Sequence, residues 1–269
     1  MKKVSGYLKV IIFYLFTLLI FIASSTLTKQ SSLPDLLSLI TASIFTFILI
    51  YWFVRSDKSV LSKNGLGFDK KSVVRFVSGF GTGLIMVLLM TVITITFSNV
   101  AFTRSQTFNP NILVLHIPLF LFVALREELA FRTYMLWKLK TITGPVVAMI
   151  IVTVIFSIEH LFGGYSLVNA VVGSGLGAIL FGFATLRTGN IALSIGIHFA
   201  WNLTHWLFGF KGNTGFLIET VQKGTEQQAE TIAFIGYIAA MIMGLCVIYL
   251  FFKPQKNREY NVRGKILTG

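Results

Sequence analysis

Residues 8–27 read LKVIIFYLFTLLIFIASSTL, and Lys9 is the one charge in the run. A helix rises 1.5 Å per residue, so a run of this length spans about 30 Å, the thickness of a bilayer's hydrocarbon core. Seven further apolar runs follow, near 36–54, 74–97, 112–138, 144–161, 166–186, 189–208 and 231–252. The expected fold is all-α: a polytopic membrane protein of about eight transmembrane helices. The composition agrees. Of 269 residues, 55% are hydrophobic and 12% charged, whereas a soluble domain carries roughly a quarter of its residues as charges. The fourth run is long and interrupted by charge, which predicts a bend or a partly aqueous surround.

The net charge of +13 would suit nucleic acid, but the basic residues sit in short loops and in a tail at 253–265. With the N-terminus inside, eighteen of them fall in inner segments and four, Lys29, Arg104, Lys211 and Lys223, in outer ones. Arg126 is left within the membrane. This bias predicts that both termini are cytoplasmic, that the basic face meets anionic lipid, and that there is no nucleic-acid partner. The expected location is the cell membrane, crossed several times. The first run has the preceding lysines and small residues, Ala23 and Ser25, of a signal peptide, yet an uncleaved anchor is the preferred reading. The single cysteine, Cys246, rules out an internal disulfide and is read as packing.

One membrane domain, 1–269, is expected. It divides into a three-helix part at 1–109, a core at 110–208, an outer loop with the last helix at 209–252, and the tail at 253–269. The loop 211–230, with Glu219, Glu226 and Glu230, reads as solvated. The first three helices carry almost nothing ionisable, so any chemistry belongs to the second half.

A charge at mid-membrane costs at least roughly 2.5–3.5 kcal/mol on insertion scales and generally faces the bundle interior. The fourth run carries Arg126, Glu127, Glu128 and Arg132 in LREELAFR. The fifth carries Glu159 and His160 in FSIEHL, and the seventh carries His198, Asn202 and His205 in GIHFAWNLTH. Glu128 and Arg132 are four apart, stacked on one helical face and able to pair. Glu127 is rotated about 100° from Glu128, which gives the two carboxylates different roles. Phe156 shares a face with His160, as His198 does with Asn202. Counting from the cytoplasmic turns, Glu127 and His160 lie about 22 and 27 Å deep, and His198 and Asn202 about 15 and 21 Å. All four are expected to converge on one cavity. A carboxylate and an imidazole facing one water can deprotonate it and aim it at a carbonyl. A second imidazole and an amide can donate to the oxyanion that develops. No serine or cysteine shows the context of an activated nucleophile, so water is the expected attacker.

Three motifs, EExxxR at 127–132, FxxxH at 156–160 and HxxxN at 198–202, follow in this order on successive helices. Together they resemble the CPBP family of intramembrane proteases, the CAAX protease and bacteriocin-processing or Abi family, over about residues 110–208. The resemblance implies that Glu127 acts as general base with His160 on a water, while His198 and Asn202 form the oxyanion hole. Glu128, Arg132 and Phe156 would support the site. It further implies a membrane-embedded or lipidated peptide substrate and no cofactor. HExxH is absent, which leaves zinc open but unsupported. Many members carry glycine after the motif arginine, where this chain has Thr133, a departure that bears on local packing. The glycines at 173–177 are read as allowing close helix packing.

Two other functions compete: a bacteriocin self-immunity protein of the same family, and a non-enzymatic membrane scaffold or regulator, since some relatives keep the fold and lose the motifs. The intact motifs speak against the scaffold. A transporter would spread ionisable residues along a path and would often show inverted repeats. This chain has a single cluster.

Overall fold

The structure, a computed structural model, describes residues 2–212 and 214–254. Most of the expected basic tail at 253–269 therefore lies outside the described residues. The first two apolar runs form α1 (Lys2–Thr28) and α2 (Pro34–Ser56), with Pro34 setting the first turn of α2. A 3₁₀ turn, Leu61–Asn64, ends at Gly65 with φ 80°, a left-handed backbone open to glycine. Helix α3 (Lys70–Phe97) starts with a reciprocal capping box between Asp69 and Ser72.

The run at 112–138 divides. Helix α4 (Ile112–Arg132) stops at Thr133, and α5 (Tyr134–Thr143) continues from it. The Thr133 hydroxyl donates back to the Leu129 carbonyl, so the bend expected from the charges falls at the residue that departs from the family pattern. The remaining helices are α6 (Pro145–Phe162), a π turn (Asn169–Ser174) leading into α7 (Gly175–Thr188), α8 (Ala192–Leu207) and α9 (Glu226–Phe251).

Among the described residues six helical segments are long and apolar enough to cross a membrane: α1, α2, α3, α6, the π turn with α7, and α9. Helix α4 carries four charged residues near its end, and α8 has 16 residues. The exterior is apolar. Leu19, Phe45, Ile48, Val92, Ile150 and Leu250 are all exposed, a surface that lipid solvates and water does not. The chain is an integral membrane protein. Cys246, read as packing, is exposed among these residues instead, because α9 turns it away from the bundle.

The fold is not wholly helical. Strands β1 (Val100–Arg104) and β2 (Leu217–Val221) pair antiparallel, from Val100 opposite Val221 to Arg104 opposite Leu217. They draw the loops before α4 and before α9 together over the C-terminal end of α8. Within the loop expected to be solvated, residues 217–221 are thus ordered as a strand and Glu219 is partly covered, while Glu226 and Glu230 are exposed.

Two contacts fix the frame. At one end, Asp57 accepts from Lys9, from Lys138 at 2.6 Å and from Tyr134 at 3.0 Å, tying α1, α2 and α5. Burial raises the Asp57 carboxyl, but these three donors outweigh it and hold it below its usual range. In mid-bundle, α3 and α8 meet backbone to backbone. A Cβ on Gly79, Gly83 or Gly196 would overlap carbonyl oxygens of Leu193, Ile197 and Phe76 respectively, so only glycine fits there. The glycines at 173–177, expected to serve close packing, leave more room: a Cβ at Gly175 would sit 3.3 Å from Ser157 and one at Gly173 3.9 Å from Asn169.

Candidate functional site

Helix α4 presents Glu127 and Glu128 to the same ring from two sides. His198 Nδ1 lies 3.2 Å from Glu128 Oε1, and His198 Nε2 lies 3.8 Å from Glu127 Oε2. A carboxylate only accepts, so Nδ1 carries the proton and donates to Glu128. Nε2 is left facing Glu127 and the site. The 100° between adjacent helical positions, which separates the two carboxylates in role, is also what lets them flank one imidazole. Phe181 of α7 stacks on the His198 ring at 4.4 Å, with planes 11° apart.

Glu128 and Arg132 are fully buried and lie 3.6 Å apart. The guanidinium sits 4.6 Å over the Phe156 ring, 5.5 Å over Phe131 and 5.7 Å over Phe181. One carboxylate and three aromatic faces thus enclose the cation where water is excluded. A second intramembrane pair lies beside it: Arg126 bonds Glu159 at 2.7 Å and stacks over Phe21 of α1, and Tyr14 donates to Glu159 at 3.3 Å. This pair joins the residues just before Glu127 and His160, which fixes α4 and α6 in level register.

His160 occupies the opposite wall. Its Nδ1 lies 2.9 Å from the Phe156 carbonyl, an acceptor, so Nδ1 is the protonated nitrogen and Nε2 keeps its lone pair. Among the described residues His160 makes no hydrogen bond to Glu127, His198 or Asn202. Its ring meets Tyr165 edge-on at 5.2 Å. Burial raises the Tyr165 hydroxyl, and the Glu127 charge raises it further. Tyr165 thus lies between the α4 and α6 sides of the site.

Asn202 is one turn beyond His198 and buried. Its Oδ1 accepts from Lys211 Nζ at 2.6 Å. The sequence reading counts Lys211 only as an outer-loop base; the chain after α8 folds back to bring it into the site. Lys211 is an exposed residue whose ammonium end is part-buried where it meets Asn202. Burial pushes Lys211 down to about 8, while the Glu127 carboxylate pulls the other way.

His116 and His205, the remaining histidines, pack on aromatic rings: His116 on Trp206 at 4.1 Å, His205 on Phe210 at 4.8 Å. An apolar groove of about 580 Å³ between α2, α3 and α4 runs past Leu125 and Leu129, but no candidate residue lines it. Among the described residues no three His, Cys, Asp or Glu side chains are grouped as a metal site, and both nitrogens of His198 face carboxylates rather than a common centre.

Tyr165, Phe181 and Lys211 are the neighbours that sequence reasoning missed. The first two are aromatics in apolar surroundings and carry no local signal, while Lys211 lies beyond the last motif.

Residues 109–204 match the family model described as Type II CAAX prenyl endopeptidase Rce1-like. That segment contains all three motifs and agrees with the resemblance read from them. No curated protein and no solved structure matches the chain.

Proposed function

We propose, with the match of residues 109–204 to type II CAAX prenyl endopeptidases as premise, that this integral membrane protein hydrolyses a peptide bond of a prenylated, membrane-associated substrate. The observation that carries the reading is His198 flanked by Glu127 at 3.8 Å and Glu128 at 3.2 Å. In this scheme His198 acts as a double donor, with an N–H on each ring nitrogen. Glu128 accepts the Nδ1–H bond, and Nε2–H is left to donate to a developing oxyanion.

Glu127 is the base. It takes a proton from a water that the lone pair on His160 Nε2 helps to orient, and the water oxygen attacks the scissile carbonyl carbon. His198 Nε2 and Asn202 Nδ2 donate to the carbonyl oxygen as it becomes an oxyanion. The proton held by Glu127 then passes to the leaving nitrogen as the C–N bond breaks. Positioned proton transfer of this kind contributes typically 10²–10⁴-fold. Arg132, bedded on the Phe156 ring, holds Glu128 aimed at His198.

The scheme uses no metal, so chelators should leave turnover unchanged, and loss of activity on metal stripping with recovery on adding zinc would overturn it. The chain crosses the cell membrane about eight times with both termini cytoplasmic, and its basic face meets anionic lipid. The deciding experiment uses detergent-purified protein and a quenched prenylated peptide, comparing wild type with Glu127→Ala. Cleavage by wild type alone is expected. No cleavage by wild type, or equal cleavage by both, discards the reading.

A further inference from the structure

We propose that Lys211, supplied by the loop after α8, is a positioning residue that holds the Asn202 amide with its NH₂ turned toward the reacting carbonyl. The proposal rests on the peptidase reading and adds to it a residue outside all three motifs and outside the matched segment.

The argument starts from the amide. An asparagine side chain has two faces of similar shape, one accepting and one donating, and can present either. Only the donating face stabilises an oxyanion; the other repels it. What surrounds Asn202 must therefore choose. A lysine ammonium has three donors and no acceptor, so the 2.6 Å contact from Lys211 Nζ fixes Oδ1 as its partner. The NH₂ is forced to the other side. Among the described residues Nδ2 makes no hydrogen bond of its own, although Asn202 is 7% exposed. It is not one of the sealed polar atoms without a partner, so it opens onto the cleft. A donor open to the cleft is met by water at rest and is free to donate to the oxyanion once substrate displaces that water.

Lys211 is suited to this task and to little else. Among the described residues it has no carboxylate within ion-pair distance, and it lies 5.3 Å from the Phe120 ring, which lines its other side. The titratable groups that face it are Glu127 from α4 and His205 from α8. Lys211 is exposed, and the 2.6 Å bond ties its ammonium to the amide.

The device predicts an alkaline limb. Burial lowers Lys211 to about 8, so the ammonium is present below that pH and lost as pH rises through it. A neutral amine can accept from Nδ2 instead of donating to Oδ1, which turns the amide the wrong way.

The test measures kcat and KM for the quenched prenylated peptide from pH 6 to pH 10 with Lys211→Met, Lys211→Arg, Asn202→Ala and the double variant Lys211→Met/Asn202→Ala. Lys211→Met should lose at least tenfold in kcat with KM unchanged. Lys211→Arg should recover most of that loss and abolish the decline near pH 8. The double variant should be no slower than Asn202→Ala, because both changes disable one donor. Wild-type kcat in Lys211→Met, or a loss that multiplies in full with that of Asn202→Ala, overturns the proposal and leaves the peptidase reading standing. A wild type that cleaves nothing removes both.

Discussion

The Arg132 guanidinium lies 4.6 Å above the centre of the Phe156 ring, so the aromatic of the second motif is the bed for the cation of the first. None of the three guanidinium nitrogens has a hydrogen-bond acceptor, and the ring faces and Glu128 alone offset the cost of drying the charge. Such a contact contributes about 2 kcal/mol when desolvated. Phe156→Leu should therefore lower the melting temperature measurably in detergent. Arg132→Ala should do worse, about 3–5 kcal/mol, because it strands the Glu128 carboxylate in a dry core. If Phe156→Leu melts with wild type, the ring is only filling space.

Glu127→Gln should abolish cleavage while leaving the melting temperature near that of wild type. Glu127 is partly exposed to the cleft, so an amide of the same shape fits but cannot take the proton from water. Substantial residual turnover in Glu127→Gln would move the base elsewhere, to His160 first.

Asn202→Ala separates chemistry from helix packing. As an oxyanion donor its removal should cost on the order of 10²–10³ in kcat, about 2.7–4 kcal/mol, with KM little changed. As a mere tie between elements it would cost about 0.6 kcal/mol in stability and no turnover. A lowered melting temperature with normal kcat would assign it to packing.

Asp57 supplies a control far from the chemistry. Its carboxyl is held low by Lys138, Lys9 and Tyr134 against the opposing effect of burial. A depressed folded pKa means that the stabilisation is present above the unfolded value of about 3.9 and is lost as pH falls through the folded one. Asp57→Asn should melt earlier at neutral pH, and the gap from wild type should close toward pH 3. Its kcat should match wild type, and a large loss of turnover would link this end of the bundle to the site.

Much of this was legible in the sequence, and the failures have physical causes. Every apolar run holds a helix, since lipid leaves a backbone few alternatives. Arg126, Glu127, Glu128 and Arg132 stood out because their cost in lipid demands compensation. The Glu128–Arg132 pairing was legible from its spacing, but the rest of what compensates them was hidden. Glu159 pairs with Arg126 across two helices, a distance that spacing along one helix does not encode. The strands β1 and β2 were missed because they are five residues each and pair across more than a hundred residues. The α3–α8 contact did have a signal, the GxxxG of Gly79 and Gly83, and the glycines at 173–177 drew the attention instead.

That glycine contact decides how the cleft can give. Where backbone rests on backbone there are no side chains to compress, so α8 is the stiff wall and carries His198 and Asn202 with it. The other wall is different: beyond His160, residues 161–169 are all exposed, and α6 runs out into them. On the proposed reading, an arriving peptide would meet less packed resistance on that side than against α8. On that reading, the oxyanion donors would be registered once, when the chain folds, while the imidazole assigned to the water would be brought to its working distance anew with each substrate.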